Sequence, residues 1–159
     1  MEKTIQVKLR YRRAIALFVL GYIVISVLGA GLAMLLGALM GPPSIETHGP
    51  SYILYENALV ALNLLGWIPL SLLYFKDRKN ELNLRGESLA LGILWLVLAV
   101  IVDYVLFVFV QSPFYISAHD FYIGQFPWIY IIYIIALVSP LCTTESGKIF
   151  HERSVASHS

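Results

Sequence analysis

Residues 76–87 read KDRKNELNLRGE, a short polar stretch carrying Lys76, Arg78, Lys79 and Arg85 between two apolar runs, 51–75 before it and 88–111 after it. Roughly 20 apolar residues suffice to cross a hydrocarbon core ~30 Å thick. Both flanking runs meet that length, so they are expected to be spans that 76–87 joins on one side of a membrane. Further out, a third run covers 14–40 and stops at Gly41-Pro42-Pro43, and a fourth covers about 121–142. The other basic residues obey the same sorting. Lys3, Lys8, Arg10, Arg12 and Arg13 precede the first run, and Lys148 and Arg153 follow the last, whereas 41–50 and 112–120 contain no Lys or Arg. Short cytoplasmic loops are enriched in Lys and Arg. The expectation is an all-α integral membrane protein: a single four-transmembrane-helix bundle, N-in/C-in, multi-pass in the plasma membrane, with a polar cytoplasmic tail at 143–159.

Composition agrees with this expectation. Hydrophobic residues make up 58% of the 159 positions and charged residues 13%, well below the share of a soluble domain. The segments assigned to the cytoplasm hold all 11 Lys and Arg against Glu2, Asp77, Glu81, Glu87, Glu145 and Glu152. Such flanks attract anionic headgroups by about 1 kcal/mol per nearby basic residue. Because these residues mark span ends and form no folded basic patch, nucleic acid is not an expected partner. Cys142 is the lone cysteine, so there is neither an internal disulfide nor a CxxC pair, and a thiol oxidoreductase is excluded. Cys142 is expected to be a small packing residue. No phosphate-binding glycine loop, zincin helix or nucleophile elbow occurs, and no cofactor is expected. The run 14–40 is far longer than the apolar core of a signal peptide, so it is expected to remain as a span.

Local signals refine the spans. Pro69 removes a hydrogen bond to the Leu65 carbonyl and predicts a kink. Ser117-Ala118-His119-Asp120 has capping-box spacing and predicts a helix start near 118. Pro127 suits the first turn of a helix and offers an alternative start near Phe126, after a short interfacial segment. Tyr52, Tyr55, Phe114, Tyr115, Phe121, Tyr122 and Trp128 fall at the outer ends and Tyr11, Tyr74 and Phe75 at the inner ends, as headgroup belts require.

Four features are candidates for function. Gly21, Gly29, Ala33, Gly37 and Gly41 recur at multiples of four and form a smooth stripe, the kind of face that lets membrane helices approach closely. Its expected use is packing against a neighbouring span, or else a homo-oligomer or membrane-protein partner. Toward the outer half lies a polar layer of Glu56, Asn63, Asp103 and Gln125, with Asn57 adjacent. An intramembrane carboxyl costs about 2.5–3.5 kcal/mol by insertion scales and usually faces the bundle or a cavity. Asp103 is the leading candidate, expected to be protonated, hydrogen-bonded to Asn63 or a tyrosine, or hydrated. Glu46, His48, His119 and Asp120 in the outer loops are ligand types that suit a divalent metal, but their spacing matches no metal motif, and solvated loop residues are the better reading. Finally, Phe126-Pro127-Trp128-Ile129-Tyr130 with Tyr133 forms an aromatic run that serves a belt or a flat ligand.

Three functions follow. The favoured one is a non-enzymatic bundle acting through helix packing, partner binding or oligomerisation, since no complete catalytic constellation is present. The alternative is a small transporter or channel with an outer-half polar path around Asp103 and Glu56. A third is a membrane-embedded lipid-modifying enzyme, which would need Asp103 or Glu56 to converge with His119 on one substrate.

Overall fold

The computed structural model describes residues 9–45, 48–76, 84–110 and 116–156. Four α-helices, α1 (Tyr11–Met40), α2 (Pro50–Phe75), α3 (Leu84–Asp103) and α4 (Trp128–Ala156), are joined by two π-helical segments, π1 (Tyr104–Phe109) and π2 (Asp120–Gly124). No strand occurs among the described residues. Tyr11–Met40, Pro50–Phe75 and Leu84–Phe109 are long and apolar enough to cross a membrane; the apolar part of α4, Trp128–Thr144, is shorter. Glu46, residues 77–83 and Gln111–Tyr115 lie outside the described residues.

Helix ends follow the local chemistry. Gly41 adopts φ +91°, a backbone that side chains with a Cβ rarely take, and with Pro42-Pro43 it ends α1. Pro50 occupies the first turn of α2, where its missing N–H costs nothing. Two boundaries differ from the sequence expectation. Helix α3 begins at Leu84 and takes Arg85 and Glu87 into its first turn, because Glu87 is anchored inside the bundle by Tyr74. Helix α4 starts at Trp128, after the cis Phe126–Pro127 bond, which matches the later of the two expected starts. It then continues to Ala156 through much of the segment read as a tail, a stretch without proline after Pro140.

Interhelical hydrogen bonds give the topology. Trp95 Nε1 donates to the Ala14 carbonyl at 3.0 Å, and eight residues further along each helix Tyr22 Oη donates to Asp103 Oδ1. Helices α1 and α3 therefore run parallel. Trp128 Nε1 donates to Asn57 Oδ1 at 3.2 Å and Ser71 Oγ to Ser139 Oγ at 3.3 Å, so α2 and α4 are also parallel, and antiparallel to the first pair. The main contacts run α1 to α2, α2 to α4 and α4 to α3; the α1–α3 interface is the thinnest of the four.

The core is aromatic. Phe18, Trp67 and Trp95 stack in series with centroid spacings of 5.6 and 5.2 Å, beside buried Leu91 and Tyr74. Gly92 brings the α3 backbone against the Leu137 carbonyl of α4, where a Cβ would collide with backbone atoms. Outward-facing residues such as Met34, Leu39, Leu65 and Phe109 are apolar, as helices bathed in lipid require. Of the small-residue stripe, Gly21 lies under Leu70 and Trp67 and Gly29 under Leu59 and Tyr55, all on α2. Ala33 is half-buried, Gly37 approaches Pro42, and Gly41 makes the turn. Cys142, expected to pack, is exposed on α4, since Ser139 and Pro140 take the inward positions of that turn.

Candidate functional site

Asp103 is the last α-helical residue of α3, placed where the helix widens into π1. The register changes there, and Val110 N–H bonds the Val105 carbonyl at 3.0 Å. Single π turns inside helices are frequent at functional sites. The carboxyl is buried and faces two other helices. Tyr22 Oη of α1 donates to Oδ1 at 2.5 Å, and Tyr133 Oη of α4 donates to Oδ2 at 2.9 Å. The Tyr22 contact is at the short end for a hydroxyl–carboxyl pair, and the Tyr133 contact is of ordinary length. Tyr122 of π2 lies near Asp103 and Tyr133. A Phe107–Phe121 stack at 5.7 Å holds π1 against π2 beside this cluster.

The partners of Asp103 are thus tyrosines. Asn63, the other expected partner, spends its amide within α2: Nδ2 donates to the Leu59 carbonyl at 2.9 Å and Oδ1 accepts from Trp67 Nε1 at 2.9 Å. Gln125 is half-buried at the turn before α4, where its backbone carbonyl accepts the Ile129 N–H. Tyr22 was not visible as a site residue from spacing. The signal that could have found it is its depth: a tyrosine far from both headgroup boundaries needs a buried partner for its hydroxyl. Tyr133 parts company with Tyr130 in the same way, the first buried on Asp103 and the second exposed.

Glu56 is a second buried carboxyl, one helical turn after Tyr52 on α2. Around it the α1–α2 loop meets π2. His48 sits in the left-handed region at φ 46°, which turns its ring so that Nε2 reaches the Gly124 carbonyl at 3.1 Å; Tyr52 Oη lies 3.4 Å from the same oxygen. Trp128 packs edge-on against Tyr52 and donates to Asn57.

The loops therefore converge, but on a backbone carbonyl. His119 and Asp120 belong to a separate cap: Ser117 Oγ donates to Asp120 Oδ2 at 2.7 Å and accepts the Asp120 N–H at 3.1 Å, as the capping-box spacing predicts. Hydrogen bonds from Ser117 and then His119 hold the exposed Asp120 carboxyl below its ordinary range. Among the described residues no group of three or more His, Cys, Asp or Glu side chains could hold a metal ion.

At the opposite end lies a polar group that the sequence reading assigned to a loop. Glu87 is buried and accepts Tyr74 Oη at 2.7 Å, while that hydroxyl accepts the Arg10 N–H at 3.0 Å. Below the core, Ser71 pairs with Ser139 and Thr144 with Ser88. Each of these four hydroxyls also lies within reach of a carbonyl of its own helix. Because each has a single proton, a bridging pair has one member donating across and the other donating to its own helix. Comparison with family models, curated proteins and solved structures found no match to this chain.

Proposed function

We propose that this chain is a four-span plasma-membrane protein with both termini in the cytoplasm, and that it works as a non-enzymatic bundle acting through helix packing and a membrane partner or second copy. The sorting of all Lys and Arg to alternate segments supports the orientation. The polar ties of α4 to α2 and α3 from Trp128 to Thr144 support a fourth crossing, which a short apolar helix achieves by local thinning of the bilayer.

One observation carries the functional reading. Both oxygens of Asp103, the most demanding polar group in the lipid-facing stretches, are taken by tyrosines of two other helices. The carboxyl closes the bundle where a catalyst would aim it at a substrate. Replacing Asp103 with Asn and with Leu in the full-length protein tests this: the Leu variant loses abundance and its oligomer or co-purifying partner, and the Asn variant keeps more of both. Unchanged abundance and assembly in both variants overturns the reading. Reporter fusions in 76–87 that face the outside overturn the topology.

A transport reading is favoured by one fact, that Glu56 and Asp103 are both buried in a chain whose stretches 14–40, 50–75, 88–110 and 128–144 contain no Lys, Arg or His. Solute-dependent uptake in liposomes that Glu56→Gln abolishes would select it.

A further inference from the structure

We propose that Asp103 is a reversible proton-binding site whose occupancy sets the contact between α1 and α3. The proposal goes beyond the packing reading and does not rest on it. A phenol lies on each oxygen of the carboxyl, and an ionised carboxylate can accept from both at once. A proton on either oxygen turns that oxygen into a donor and sets it against a phenol that is also donating. One of the two tyrosine bonds must then break or reverse.

Tyr22 is the bond that matters mechanically. The α1–α3 interface is the thinnest of the four, and across it Tyr22–Asp103 is the outer polar tie and Trp95–Ala14 the inner one. Loss of the outer tie lets the outer part of α1 separate from α3 while the inner tie and the aromatic stack hold. The π turn beginning at Tyr104 leaves the chain after Asp103 free of strict α register, so the carboxyl can shift without breaking α3.

The titratable groups that face Asp103 are Tyr22 from α1, Tyr133 from α4 and Tyr122 from π2. All are phenols, and none can neutralise the carboxylate by carrying a positive charge.

Infrared difference spectroscopy and paired spin labels on full-length protein in liposomes test the proposal, with Cys142→Ser as the background and labels at Val19 of α1 and Ile101 of α3. Lowering the outer pH from neutral should raise a protonated-carboxyl band that shifts in heavy water, and should lengthen the label distance in step. Asp103→Asn should lose the band and hold the long distance at every pH, while Glu56→Gln should keep both responses. Tyr22→Phe should keep the band and lose the coupling to distance. The proposal is overturned if the band survives Asp103→Asn, or if Tyr22→Phe leaves the distance change intact. The Tyr22→Phe arm decides the question if Asp103→Asn fails to fold.

Discussion

The two halves of the bundle are held by different chemistry. In the half nearer the start of α1, the inner half under the proposed orientation, α3 touches α4 through the backbone at Gly92, and hydroxyl pairs Ser71–Ser139 and Ser88–Thr144 bridge the helices. In the outer half the carboxyl of Asp103 ties to the phenols of Tyr22 and Tyr133, and Glu56 is a second buried carboxyl. Hydroxyl pairs and backbone contacts have one protonation state across the ordinary pH range, whereas carboxyl ties have two. Apart from the Glu87–Tyr74 tie at its end, the inner half therefore acts as a fixed base, and the outer half is where conditions change the structure most.

If that division holds, the largest loss comes from the inner half. Gly92→Leu drives a side chain into the Leu137 carbonyl, with backbone on both sides and no flexible group to yield. Overpacking of this kind costs about 1–3 kcal/mol or more, and thermal unfolding in detergent should show little folded protein. Gly31→Ala, where a Cβ meets nothing within 4 Å, is the matched control and should melt like wild type.

Asp103→Leu ranks next, because it strands two phenol donors in a buried site. Each unsatisfied group costs on the order of 1–3 kcal/mol, and Asp103→Asn should recover part of the loss in the same melt. A Leu variant as stable as wild type would remove the outer tie from the comparison.

Ser71→Ala should cost only ~0.6 kcal/mol, the usual worth of a hydrogen bond between membrane helices. Its effect should not change with pH, which separates it from the outer ties.

The smallest effect concerns Asp120. Its carboxyl titrates below the ordinary carboxylate range, so its cap adds stability that is present above the unfolded-state value and is lost as pH falls through the lower folded-state value. Amide exchange at π2 should thus stay slow in mild acid and quicken only in strong acid, and Ser117→Ala should move that onset to higher pH. A π2 that opens in mild acid with wild-type Ser117 would break the distinction between this cap and the buried Asp103 site.

Much of the fold was legible in the chain. The long apolar runs, the stop at Gly41-Pro42-Pro43 and the Ser117–Asp120 cap each depend on neighbours within a few residues, and the structure holds helices and a cap at those places. The site was half legible. Asp103 stands out because a carboxyl in an apolar run is costly, but its partners lie 81 and 30 residues away and no local pattern encodes them. Glu87 shows the opposite failure. Beside Arg85 it resembles a solvated loop charge, and only Tyr74 packing across from α2 makes it a buried one.

The sequence by itself determined that this protein is helical and made for a membrane, because hydropathy and charge sorting are sums over single residues that need no partner. Only the tertiary structure decided that α1 and α3 run side by side, that Gly92 marks the closest approach, and that two tyrosines converge on Asp103. Those are properties of pairs, fixed by how helices settle against one another once the lipid has made burial of each polar group obligatory.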